Sequence, residues 1–296
     1  MSLSQDDLRI LTQNAIAAAY QAGHLIQTYT QKHFTKSIKP DANSPASQIV
    51  TEVDLKSEAI ILSSLKASID RYDLGLLTEE QEDDGSRFEK EYFWCIDPLD
   101  GTLAFSEGQF GYSVSIALVK KDGTPQIGVV YDPLNQNLYH ATTSQGAYRN
   151  SEAWTPAPLR SPGKRLTLLM DPSLQRHQRY EEALDLLSQT AKALGLDGIE
   201  TICQGGAAMK ACRLIELGAA CYFKFPSDTP GGGSLWDFAA TSCIFTEMGA
   251  YHSNASGGSL DLNCRATTYM NPEGVLYGSH EEVVQSLKDL GARVRG

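Results

Sequence analysis

Trp94-Cys95-Ile96-Asp97-Pro98-Leu99-Asp100-Gly101-Thr102 is an apolar, strand-like run that breaks at two carboxylates, a proline, a glycine and a hydroxyl. These residue types suit a metal ion held beside a phosphate. Mg²⁺ takes hard oxygen ligands, and a sharp turn after the strand lets Asp97, Asp100 and the Leu99 carbonyl face one small volume. Pro98 fixes one φ angle and Gly101 admits the turn. The amides of Gly101 and Thr102 then become donors for a phosphate oxygen, as at anion-binding turns and helix starts. Asp-Pro and Asp-Gly are also ordinary turn chemistry, so the stretch needs support from elsewhere in the chain.

Thr51-Glu52-Val53-Asp54, Thr78-Glu79-Glu80 and Trp236-Asp237 supply it, each setting a carboxylate at the edge of an apolar or helical segment. Each also has a plainer reading. Asp54 precedes the helical pattern from Leu55 to Leu62, and Asp237 precedes Phe238-Ala239-Ala240, so either could be a helix N-cap. Glu79 and Glu80 open an acidic run through Asp84, and such runs are commonly solvated. Four such groups in one chain are harder to assign to coincidence.

The ordered set Asp54, Glu79-Glu80, Asp97-Pro98-Leu99-Asp100-Gly101-Thr102 and Trp236-Asp237-Phe238-Ala239-Ala240 resembles the inositol monophosphatase superfamily of Mg²⁺-dependent, Li⁺-sensitive phosphatases. The likeness spans nearly the whole chain. It implies that Glu79, Asp97, the Leu99 carbonyl, Asp100 and Asp237 hold two or three Mg²⁺ ions, with Mn²⁺ as a substitute and Li⁺ as an inhibitor. It places Asp54, Glu79 and Thr102 as the catalytic set around the attacking water, and Gly101, Thr102 and Asp237 against the substrate. Whether Asp54 or Glu79 accepts the proton stays open. The resemblance further implies hydrolysis without a covalent intermediate, a homodimer, and the layered α-β-α-β-α sandwich of inositol monophosphatases and fructose-1,6-bisphosphatase.

Two lysines bear on the substrate. In the inositol-phosphate branch a glutamate follows the strand before Trp-Asp-x-Ala-Ala, and the corresponding place in Tyr222-Phe223-Lys224 is Lys224. Ala208-Met209-Lys210-Ala211-Cys212 is similar to the Ser-Leu-Lys-Phe-Cys run of the 3'(2'),5'-bisphosphate nucleotidase branch, whose lysine lies near the nucleotide phosphate. A cation suits a second anionic group better than a bare hydroxyl. The expected substrate is therefore a bisphosphate nucleotide such as 3'-phosphoadenosine 5'-phosphate, with inositol-1-phosphate as the alternative. Both lysines could instead be solvated.

Leu103-Ala104-Phe105 matches neither branch, and the nucleotidase serine-arginine-histidine signature is missing around Met170-Asp171-Pro172. Gly231-Gly232-Gly233 could offer amides to a phosphate or be a permissive turn. An inactive relative that binds a metal or ligand for regulation is the alternative of a different class, and retention of every carboxylate weighs against it. The chain has no GxxxxGK[ST] loop for ATP-dependent phosphotransfer.

At 296 residues and 42% hydrophobic, the chain can bury a core as one large domain or two small ones. Its net charge of −11 repels nucleic-acid polymers and anionic membranes, which leaves a small phosphate ester as the expected partner. Cations held in an acidic cleft reverse that repulsion locally. Six cysteines without a CxxC pattern read as buried thiols in a reducing compartment. The six histidines are dispersed and form no zinc motif. A start containing Asp6-Asp7 does not look like a signal peptide, and no run approaches the ~20 apolar residues of a membrane span, so the expected location is cytoplasmic.

Apolar periodicity predicts helices over 5–32 and 55–68, separated by a polar, mobile loop over 36–48. Strands follow at 74–77 and 92–96, then an antiparallel meander over 112–149. Three prolines mark 151–164 as a linker. Beyond it, strands near 166–170, 199–202, 220–224, 249–252 and 274–278 alternate with helices near 174–194, 206–217, 236–247 and 280–290. The division is an α+β half over 1–155, carrying most metal ligands, and an α/β half over 156–296 that supplies Asp237 and substrate contacts. The site is expected where the halves meet.

Overall fold

A computed structural model of the chain describes residues 2–29, 36–38, 49–160, 164–229 and 231–295. Helix α1 (Gln5–Tyr29) buries Leu8, Leu11, Ala15, Ala18, Ala22 and Ile26, a stripe at three- and four-residue spacing. Helix α2 (Glu52–Tyr72) starts three residues before the expected position. Asp54 therefore lies inside its first turn and is not its N-cap. Between the two helices, β1 (Lys36–Ile38) and β2 (Ile49–Thr51) pair antiparallel, while the rest of the expected loop falls outside the described residues.

The larger sheet has seven strands in sequence order: β3 (Gly75–Thr78), β4 (Tyr92–Asp100), β5 (Ser113–Lys120), β6 (Pro125–Asp132), β7 (Asn137–Thr142), β8 (Gly146–Arg149) and β9 (Glu152–Ala153). β3 runs parallel to β4, and the remaining neighbours are antiparallel, as the meander predicts. Side chains alternate between two cores along β4. Trp94 and Ile96 pack with α1 and α2, whereas Phe93 and Cys95 belong to the core on the opposite face.

The smaller sheet orders β10 (Leu166–Leu169), β11 (Ile199–Ile202), β12 (Ala220–Lys224), β13 (Tyr251–Ser253) and β14 (Val275–Gly278) as β11-β10-β12-β14-β13. It is mixed: β10 is parallel to β11 and β12, while β14 is antiparallel to β12 and β13. The expected helix over 174–194 splits into a 3-10 turn, Pro172–Arg176, and a helix at Tyr180–Ala193, and the expected linker contains β9.

Numbering continues with α3 (Thr102–Ser106), α4 (Tyr180–Ala193), α5 (Ala207–Leu217), α6 (Leu235–Met248) and α7 (Glu281–Arg295). α5 and α6 lie between the sheets, where Ala208, Leu214, Phe238, Ala239 and Ile244 join Phe93 and Cys95 of the larger sheet to Tyr222 and Tyr277 of the smaller one. α4 and α7 cover the other face of the smaller sheet through Leu187, Val283, Val284 and Leu287. The layers read α-β-α-β-α. Among the described residues no helix is long and apolar enough to cross a membrane. Cys95, Cys212, Cys221 and Cys243 are buried as expected, but Cys203 is exposed and Cys264 half-buried, because both sit in loops beyond the cores.

Candidate active site

Asp97 and Asp100 are three residues apart on β4, a spacing that would send their side chains to opposite faces of a regular strand. The ladder corrects this. Asp97 pairs with Ser115 and Asp100 with Ser113, so β4 holds one more residue than β5 across the interval. That bulge, at Pro98-Leu99, turns both carboxylates the same way. The strand therefore continues past Ile96, where the apolar pattern predicts its end. The Leu99 amide donates to Asp97 Oδ1 at 3.0 Å, and Ser57 on α2 donates to the Pro98 carbonyl at 2.7 Å.

Asp237 joins them from α6. Carboxylate oxygens of Asp97, Asp100 and Asp237 lie within 4.8 Å of one another. The N-cap of α6 is Ser234, with Asp237 as the third helical residue of a capping box in which the Ser234 amide donates to the Asp237 carboxylate. Asp237 is thus held by the helix start without being its cap. Glu79 follows β3, and its amide donates to the Ile96 carbonyl at 3.2 Å, which carries the β3–β4 ladder to the edge of the cluster.

Burial pushes the Asp97 carboxyl well above the ordinary carboxylate range, and the charges of Glu79, Asp100 and Asp237 push it further. Asp100 is raised to about 7 by burial and Asp237, against the opposing pull of Lys210 and the amides of Ala208 and Ala207. Asp237 is raised chiefly by burial, with its Ser234 hydrogen bond and Lys224 opposing. Two buried carboxylates and a half-buried third, all with raised pKa, form an oxygen-only donor set short of positive charge. This fits a hard divalent cation such as Mg²⁺.

Gly101 has φ 86°, opens α3, and has Gly111 O and Gly206 N so close that a side chain would collide with backbone. The Thr102 hydroxyl lies 3.0 Å from Asp54 Oδ1 and 3.0 Å from the Leu99 carbonyl oxygen, and can donate to either. The first-turn position of Asp54 on α2 brings its carboxylate to Thr102. The acidic run after Glu80 is tied down as well. Buried Arg87 donates to Asp83 at 2.8 Å, to Asn263 Oδ1 at 2.8 Å and to the Cys264 carbonyl at 3.0 Å.

Lys210 and Lys224 lie beside the cluster, both bound to one carboxylate. Lys210 Nζ donates to Asp171 Oδ1 at 2.6 Å and to the Gly205 carbonyl at 2.5 Å. Lys224 Nζ is 2.9 Å from Asp171 Oδ2 and also donates to the Gly232 carbonyl. The Tyr222 hydroxyl donates to Asp171 Oδ2 at 3.3 Å. Burial alone would raise the Asp171 pKa, but the two ammonium groups outweigh it and hold the carboxyl well below the usual range. The lysine side chains are 4% and 19% exposed, so neither is a solvated surface group.

Several contributors escape a reading by motif. Asp171 replaces an expected signature, and nothing in its neighbourhood marks it as the partner of lysines 39 and 53 positions later. Asp100 also caps α5, accepting from the Ala207 and Ala208 amides at 3.0 and 2.9 Å. A Cβ at Gly206 would overlap the Asp100 carboxylate, and the Gly206 amide donates to the Gly111 carbonyl at 2.7 Å. The Gly205-Gly206 pair was the available signal for such a close approach.

The profile described as the inositol monophosphatase family matches residues 7–292. Nus factor SuhB of Vibrio cholerae is 29% identical, covering 94% of this chain and 95% of that protein. Inositol monophosphatase 1 of Mus musculus is 28% identical over 85% and 86% of the two chains. The 3'(2'),5'-bisphosphate nucleotidase CysQ of Salmonella typhimurium is 29% identical over 75% and 82%. Among solved structures, the extragenic suppressor protein suhB from Bartonella henselae superposes with a TM-score of 0.71 at 23% identity, covering 95% of this chain and 98% of that one.

Proposed function

This chain belongs to the inositol monophosphatase family and is a phosphatase of that family; from that premise we propose that its substrate is a small phosphate ester with a second anionic group, a 3'(2'),5'-bisphosphate nucleotide. The observation that carries this reading is the pair Lys210 and Lys224, joined through Asp171 beside Asp100 and Asp237. Two ammonium groups and one carboxylate leave the assembly one positive charge. A glutamate at position 224 would have reversed its sign. A net cation attracts a second phosphate, whereas a carboxylate favours sugar hydroxyls.

In this reading Asp97, Asp100, Asp237, the Leu99 carbonyl and Glu79 would hold Mg²⁺. When bound, Mg²⁺ neutralises phosphate charge and lowers the pKa of a water. The chain's own groups do the rest. The Gly101 and Thr102 amides, at the start of α3, donate to phosphate oxygens. Thr102 donates a hydrogen bond from its hydroxyl to Asp54 and so turns its lone pairs toward the attacking water; as the water attacks, its proton passes to Thr102 Oγ1 and the Thr102 proton to Asp54. The 3.0 Å Thr102–Asp54 contact supports Asp54 over Glu79 as the group that accepts the proton.

Phosphate release from 3'-phosphoadenosine 5'-phosphate and from inositol-1-phosphate, measured side by side with Mg²⁺ and with EDTA, tests the proposal. A kcat/KM at least tenfold higher for the nucleotide, abolished by EDTA, is expected. A preference for inositol-1-phosphate would assign the lysines a structural task and return the substrate to the inositol branch.

A further inference from the structure

Asp171 is the least explained charged group beside the site. Both its oxygens are engaged: Oδ1 by Lys210, Oδ2 by Lys224 and the Tyr222 hydroxyl. Each ammonium has two N–H groups committed among the described residues, one to Asp171 and one to a backbone carbonyl, Gly205 for Lys210 and Gly232 for Lys224. The carboxylate thus satisfies the cations that a ligand anion would seek. It is also reachable, since its side chain is 24% exposed and that of Lys224 19%, against 4% for Lys210.

We infer that Asp171 is a specificity-determining residue, an internal anion that competes with a second phosphate group of the substrate for Lys210 and Lys224 and so sets how strongly the enzyme prefers bisphosphorylated to monophosphorylated esters. The inference rests on the phosphatase reading of the carboxylate cluster and deepens it.

The chemistry gives such a competitor a use. The second phosphate is unchanged by the reaction, so attraction to it is the same in ground and transition states and adds nothing to turnover once substrate is saturating. Two unopposed buried ammonium groups would hold substrate and product tightly. A carboxylate that neutralises one of those charges keeps the attraction while permitting release. A strut with no bearing on specificity would instead act equally on every substrate.

The test is a matched pair, adenosine 3'-monophosphate and adenosine 3',5'-bisphosphate, which share the scissile 3'-phosphate and differ only in the second one. In Asp171→Asn the side-chain oxygen can still accept a hydrogen bond, but the charge is gone. The ratio of kcat/KM, bisphosphate over monophosphate, is expected to rise at least tenfold over wild type. An unchanged or lower ratio overturns the inference, including the case where both substrates lose activity equally.

Should Asp171→Asn fail to fold, Asp171→Ser, which removes the same charge with a smaller side chain, reads the same ratio. A tenfold rise supports the inference, and no rise overturns it. If wild type hydrolyses neither adenosine ester, the nucleotide reading has failed by itself. The same ratio is then taken with inositol-1-phosphate and inositol 1,4-bisphosphate, where a rise in Asp171→Asn supports Asp171 as the competitor and a flat ratio overturns it.

Discussion

The carboxylate cluster and the lysine pair beside it are neighbours built on opposite principles. In the cluster, like charges are gathered with only partial relief from Lys210 and Lys224, and burial above all raises Asp97, Asp100 and Asp237 above the ordinary carboxylate range. In the pair, two ammonium groups flank one carboxylate and leave one net positive charge, and Asp171 is driven below that range. Uncompensated charge is costly to fold and calls for an external cation. An ion-paired group of this kind needs no external cation, so it can adjust specificity without being required for the chemistry.

Substitution on the two sides should separate them. The largest effect is expected for Asp100→Asn, which removes the charge of a proposed metal ligand while retaining an acceptor oxygen for one of the two α5 amides: kcat/KM for every substrate falls on the order of a thousandfold or more, with the far-UV circular dichroism spectrum unchanged. Near-wild-type turnover would break the distinction, because the cluster would then be no more essential than the lysine pair.

Asp97→Asn sharpens the same contrast through stability. With EDTA present, removing the charge most crowded by Glu79, Asp100 and Asp237 is expected to stabilise the protein by about 1 kcal/mol or more, seen as a higher Tm than wild type. A lower Tm would mean that the cluster is not under electrostatic stress. Ser234→Ala, which removes one half of the capping box holding Asp237, should cost about 1 kcal/mol in thermal or denaturant unfolding. Because that change also loosens Asp237, it should raise the Mg²⁺ concentration needed for half-maximal activity. A variant with normal Mg²⁺ dependence would make the box a helix cap only.

Much of the cluster was legible in the sequence because its residues lie in short, distinctive strings. Asp97, Leu99, Asp100 and Thr102 come from a single turn, and Trp236-Asp237 opens a helix whose apolar pattern is plain. The bulge that aligns Asp97 with Asp100 was not legible, because register belongs to the pairing of β4 with β5 and not to either strand alone. The same holds for the place of Asp54 inside α2 and of Ser234 as the α6 cap. Helix ends are settled by tertiary partners such as the Thr102–Asp54 contact as much as by local preference.

The lysine pair was visible only as two cations of uncertain task. Its third member, Asp171, follows β10, while Lys210 lies on α5 and Lys224 ends β12, so the trio exists only once the smaller sheet has assembled. The succession of helices and strands was readable from alternating periods of apolar residues, while the layered order of the fold came from the family resemblance. The mixed direction of the smaller sheet was not, since periodicity does not distinguish parallel from antiparallel neighbours in a buried strand.

The metal centre is tested most directly by Mg²⁺ binding to EDTA-treated, dialysed protein in titration calorimetry, comparing wild type with Asp97→Asn and Asp171→Asn. Saturable Mg²⁺ binding is expected in wild type and in Asp171→Asn, with its loss or a weakening of at least about tenfold in Asp97→Asn. Binding in Asp97→Asn indistinguishable from wild type would contradict the assignment of the β4 bulge as the metal centre.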